Sequence, residues 1–187
     1  MASLTRVPSA AAGPVGPFPP GVDALDYDRL RRRVLWSMPS GLYLLGSRNG
    51  DDRNLMTLNW ATQVAAEPKL VAVSVEKAAR THHLLLGGGV FAISILARVE
   101  RSVVRAFVKP ATWEGMASSL NGHPVREALT GAPILSSSAA WLDCGVRHTL
   151  DCGSHTLFVG EVVAAGEGGP AGAEILRMED TRMNYGG

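Results

Sequence analysis

Apolar residues in this chain recur at alternate positions or in short unbroken runs, and Gly, Pro, Asn and Asp separate the runs. That rhythm is the rhythm of strands. Leu42–Ser47 reads as a strand, Asn49-Gly50-Asp51-Asp52 as a hairpin turn, and Arg53–Ala61 as the return strand. In that return strand Leu55 and Thr57 fall on one face, with Asn54, Met56 and Leu58 on the other. After a break at Glu67-Pro68, Lys69–Val75 is a third strand, and Val90–Leu96 is a buried one. Two or three more follow, over Ala139–Cys144, Val146–Cys152 and His155–Ala164, with a turn over 166–172. Helical spacing is rarer. Leu30, Val34, Leu35 and Met38 define a helix over Asp26–Met38, with Asp26 as its N-cap and Arg31, Arg32 and Arg33 as a solvated face. Thr81–Leu86 is a short helix stopped by Gly87-Gly88-Gly89, and Glu100–Val108 is another, with Val103, Val104 and Phe107 inward. Residues 110–133 read as irregular, with a weak central helix. Short strands with little helix and no βαβα alternation predict a mainly β, barrel-like fold with helical trim.

Composition narrows this picture. A length of 187 residues predicts one domain. Proline at positions 8, 14, 17, 19 and 20 sets residues 1–22 apart as an arm, disordered, hugging the surface or wrapping a partner subunit; the organised domain is 23–187. The same prolines interrupt any signal-peptide core. A net charge of +1 gives no field for nucleic acid or a membrane surface, and no apolar run approaches the roughly 18 residues of a membrane helix. Cys144 and Cys152 lie in no CxxC motif. They read as reduced thiols of a cytoplasmic protein, with a pairing across a hairpin as the alternative.

The candidate chemistry is concentrated between Asn54 and Thr81. Amide, hydroxyl and aromatic side chains alternate through Asn54–Trp60, and a cation and a hydroxyl follow at Arg80-Thr81. The set suits a flat heteroaromatic ligand with a phosphate tail. The triple glycine lacks GxGxxG spacing and ends a helix rather than opening one, and no GxxxxGK[ST] occurs. Adjacent His82 and His83 diverge on a helix and read as a surface or helix-start pair, so no metal site is expected. His155 follows a tight Gly153 turn at the mouth of a strand. There it either meets a planar ligand and passes a proton, or is a hydrogen-bonded structural histidine.

Together these pieces resemble a known family. The Asn54-x-Met56-Thr57-x-Asn59-Trp60 weave, Pro68, Ser74-Val75, Arg80-Thr81, the Val90–Ser94 strand, the Gly153-Ser154-His155 segment and the Tyr185-Gly-Gly end resemble the flavin reductase-like family. That group comprises FMN-binding split barrels, including flavoredoxin-type proteins and reductase components of two-component monooxygenases. The resemblance covers about residues 28–187 and implies a split β-barrel with a few short flanking helices.

By that resemblance, Asn54, Met56, Thr57, Leu58, Asn59 and Trp60 line the isoalloxazine or ribityl chain, and Ser74 and Val75 sit beside it. Arg80 and Thr81 hold the phosphate, Lys109 reaches the anionic side of the flavin, His155 lies near flavin and nicotinamide, and Tyr185 stacks on the ring from a partner subunit. The implied activity is hydride transfer from NADH or NADPH to FMN or FAD, in a homodimer that supplies reduced flavin or electrons to a partner such as a monooxygenase. An electron carrier or sensor without nicotinamide activity, or a barrel that has lost flavin, are the alternatives. One departure stands out: Ser154 occupies the place of the family's usual Asp before the histidine.

Overall fold

The structure is a computed structural model that describes residues 13–169 and 172–181. The chain divides into two compact units, the first ending at Pro39 and the second beginning at Ser40.

The first unit carries helix α1, Ala24–Trp36. Its N-cap is Asp23, whose carboxylate accepts from the amide of Asp26 at 3.0 Å. The cap therefore lies three residues before the expected Asp26. Arg31 is not simply solvated. Its guanidinium pairs with Asp28 at 2.6 Å, donates to the Val15 carbonyl at 2.8 Å and lies 4.9 Å over the Phe18 ring.

The second unit is built on antiparallel strands: β1 (Tyr43–Asn49), β2 (Asp52–Leu58), β3 (Ala61–Ala65), β4 (Leu70–Glu76), β5 (Val90–Ile95), and later β10 (Ala140–Cys152) and β11 (His155–Glu167). They form one seven-stranded sheet in the order β2-β1-β5-β10-β11-β4-β3. Strands β2 and β3 are its two edges, yet only Asn59 and Trp60 separate them. Laid flat, seven strands would put those edges about 29 Å apart, whereas that connection reaches roughly 11 Å. The sheet must therefore curl until its edges meet at Asn59-Trp60. The result is a barrel whose seam carries no ladder between β2 and β3, which is the mainly β, split architecture that the sequence predicts.

Two large apolar clusters hold it, with a small third around Ala92, Ala132 and Ile134. Leu45, Leu58, Val73, Phe91, Ile93, Cys144 and Phe158 fill the barrel. Leu44 and Leu55 face the other way, against Val104, Phe107, Leu120 and Leu135. That outer layer comes from two 3-10 turns (Arg98–Glu100, Val103–Phe107) and a four-stranded sheet of β6 (Trp113–Glu114), β7 (Ser119–Leu120), β8 (His123–Arg126) and β9 (Ile134–Leu135). So the expected helix over Glu100–Val108 is 3-10 geometry, and the stretch expected to be irregular is a small sheet.

Helix α2 runs Arg80–Gly88 and ends at Gly89, a left-handed C-cap with φ 65°. A Cβ on Gly88 would stand 1.8 Å from the Arg48 carbonyl oxygen. The glycine run thus lets α2 lie directly on the end of β1, besides terminating the helix.

Strand β10 is continuous across the two strands expected there, with register shifts at Asp143/Cys144 and Val146/His148. Cys144 and Cys152 consequently share one strand rather than facing each other. Eight residues of strand span roughly 26 Å, far beyond the ~7 Å limit of a disulfide, and both thiols are free. Burial in the barrel pushes the Cys144 thiol up to about 12, with the Asp143 charge adding to it.

Candidate functional site

Three segments converge where the seam meets the end of β4. Trp60 is 41% exposed. Its carbonyl accepts from the Ser74 amide at 3.0 Å, which ties the seam to β4. The His155 ring lies 4.9 Å from the indole, tilted at 55°. Strand β11 begins at His155, which pairs with Glu76 across to β4, and the turn before it needs Gly153 at φ +77°.

That turn is braced from two sides. The Asp151 carboxylate takes the Lys77 ammonium at 2.8 Å and the Gly153 amide at 2.8 Å. These contacts, the lysine hydrogen bond first, hold the Asp151 carboxyl below its usual range. The Lys77 amide donates to the Ser154 carbonyl at 3.0 Å. Ser154 Oγ lies 2.9 Å from His155 Nδ1, so the serine contacts the ring nitrogen that an orienting residue would address. It does so without adding a charge.

Below this corner, His82 is buried, its Nε2 2.8 Å from Thr156 Oγ1 and its ring edge-on to Phe158. Burial pushes its imidazole down, and the nearby His83 and Lys77 charges add to that. The expected surface pair is thus split, since only His83 is exposed.

The start of α2 forms the other half of the site. Its cap residue, Ala79, offers no side-chain oxygen to the first-turn amides, and no acidic residue occupies that turn. Uncapped first-turn amides with the positive end of the helix dipole suit an anion. Arg80 Nη1 donates to the Ala111 carbonyl at 3.0 Å, and Nη2 contacts the Asp52 carboxylate. Thr81 is buried, and its hydroxyl accepts from Asn54 Nδ2 at 2.8 Å. Asn54 Oδ1 in turn accepts from the Ala111 amide at 2.8 Å. Asn54 therefore clamps the start of α2 to the segment that carries Lys109, which is exposed.

The remaining residues divide by burial. Thr57 donates to the Val104 carbonyl at 2.6 Å, and Leu58 and Val75 belong to the barrel core. Met56, Asn59 and Ser74 are half-buried. Tyr185 lies outside the described residues. Sequence reasoning passed over Asp52, read only as a turn residue, and the Lys77–Asp151 brace. The acidic residue at a turn and the Lys one residue past a strand were the available signals.

An aromatic corner at Trp60 and His155, and an anion-seeking helix start at Arg80, form a chemically matched pair for a flat ring bearing a phosphate. The family model for the flavin reductase like domain matches residues 35–186. The chain belongs to this family. The NADH-dependent FAD reductase of Streptomyces globisporus is 32% identical over 144 residues, which cover 77% of this chain and 78% of that protein. The solved NADH:FAD oxidoreductase SgcE6 of Streptomyces globisporus C-1027, in complex with NAD and FAD fragments, superposes with a TM-score of 0.69 at 28% identity, covering 83% of this chain and 90% of that one. The styrene monooxygenase flavin reductase of Pseudomonas putida S12 superposes with a TM-score of 0.63 at 28% identity, covering 73% of this chain and 86% of the other. Several other relatives are longer, and this chain spans less than two thirds of them. No helix of the described residues is long and apolar enough to cross a membrane.

Proposed function

We propose that this flavin reductase-like protein transfers a hydride from NADH or NADPH to FMN or FAD at the seam of its barrel. The observation that carries the reading is the Trp60–His155 corner beside the end of β4, since His155 pairs with Glu76 and the uncapped start of α2 follows only four residues later. The bound flavin would supply the hydride-accepting centre. The protein's share is to bind, orient and exclude.

Trp60 and Asn59 offer a ring face and seam backbone to the isoalloxazine, with Met56 and Ser74 beside them. The α2 amides and Arg80 take the phosphate, where charge-assisted hydrogen bonds are strongest. Thr57, Leu58 and Val75 act by shape, because the Thr57 hydroxyl is engaged with Val104 and the other two are in the core. Asn54 and Thr81 act on one another and hold the helix start in place. His155, with Nδ1 engaged by Ser154, presents Nε2 toward the nicotinamide side. Lys109 adds positive charge near the flavin, and Tyr185 closes the site from the second subunit of a homodimer. The reduced flavin passes to a partner such as a monooxygenase, in the cytoplasm, where both thiols stay reduced.

FMN and FAD titrated into the protein should bind saturably in the micromolar range, with quenching of flavin fluorescence as the readout. No saturable binding of either flavin would overturn this proposal.

A further inference from the structure

Arg80 supplies the one guanidinium or ammonium side chain at the first turn of α2. In the structure its guanidinium is already engaged. Nη1 donates to the Ala111 carbonyl at 3.0 Å, while Nη2 contacts the Asp52 carboxylate. Asp52 opens β2 directly after the Gly50-Asp51 turn, so the strand that runs toward the seam also delivers a carboxylate to the helix start. The pair is accessible: the Arg80 and Asp52 side chains are 36% and 53% exposed. Exchange of the acid for another anion therefore needs no opening of the core.

We propose that Asp52 is a built-in competitor of the flavin phosphate, which keeps flavin exchangeable rather than permanently held. The inference rests on the phosphate assignment above. A carboxylate and a phosphate dianion seek the same planar donors. A phosphate arriving at the α2 amides either displaces Asp52 from Arg80 or sits against its charge, and both weaken the grip. The Ala111 bond is untouched by the exchange and keeps Arg80 in position when Asp52 leaves. An exposed pair of this kind is worth little on its own, so the acid tunes affinity without blocking the site. That suits a reductase whose flavin must leave for another protein.

The test compares FMN with riboflavin, which has the same ring and ribityl chain but no phosphate. Asp52→Asn keeps the size of the side chain and removes its charge. It should tighten FMN binding by up to about fivefold, slow FMN release by a similar factor, and leave riboflavin affinity unchanged. In an Arg80→Ala background the same change should have a smaller effect. FMN affinity equal to or weaker than wild type in D52N, confirmed in D52S, would overturn the competition while leaving the flavin site intact. Equal tightening of FMN and riboflavin would overturn it as well, by placing the effect on the ring. Failure of FMN and riboflavin alike to bind the wild-type protein would overturn the flavin reading together with this inference.

Discussion

His155→Ala should lower turnover by about 10²-fold, the lower range for loss of a positioned catalytic side chain, while flavin affinity stays nearly unchanged. The asymmetry follows from what the ring touches. One face is against Trp60 at 4.9 Å, and Nδ1 is held by Ser154. Neither contact involves the α2 amides or Arg80, which carry the phosphate in this account. Removing the imidazole therefore leaves the anion end of the site and the indole wall in place. It takes away the polar group that addresses the donor. Steady-state kcat with saturating flavin, set beside flavin affinity from fluorescence titration, separates the two effects. A large loss of affinity with kcat preserved would make His155 a binding residue instead. Ser154→Ala should reproduce a fraction of the turnover loss, because it frees the ring without deleting it.

Arg80→Ala should weaken FMN by about 1.5–3 kcal/mol, roughly 10- to 150-fold, with riboflavin scarcely affected. The guanidinium is the one Arg or Lys side chain in the first turn of α2, so its removal takes away the planar charged donor beside the helix-start amides. Arg80→Lys should recover only part of the affinity, since an ammonium keeps the charge and loses the planar fork. FMN binding as tight in Arg80→Ala as in wild type would contradict the phosphate assignment.

The fold was legible where pattern is local. The Asn49-Gly50 hairpin, the apolar runs of β4 and β5, and the Gly89 cap each announce themselves within a few residues. Strand β3 was not legible, because Thr62, Gln63 and Val64 are all exposed on an edge strand and show no alternation. The 3-10 turn at Val103–Phe107 carries helix-like spacing, but Pro110 follows closely and the Thr57 hydroxyl takes the Val104 carbonyl. The continuity of β10 was hidden by Gly145, which reads as a break and instead sits between two bulges.

The site was partly legible for the same reason. Trp60, Arg80 and His155 stand out by residue type and by their position at strand or helix ends. Asn54 and Thr57 also stood out, but their side chains turn to partners far along the chain, at Ala111 and Val104. Local spacing cannot report a hydrogen bond of that separation. The role of Asp52 depends on α2 returning to the β1–β2 hairpin, which only the folded chain reveals.

The most direct test of the central claim is to load the protein with FMN or FAD, exclude air, and add NADH or NADPH while recording the visible spectrum. The account predicts that the oxidised flavin band bleaches with at least one donor, and faster than for the same flavin free in solution. A flavin that binds yet keeps its oxidised spectrum with both donors would contradict hydride transfer and leave an electron carrier in its place.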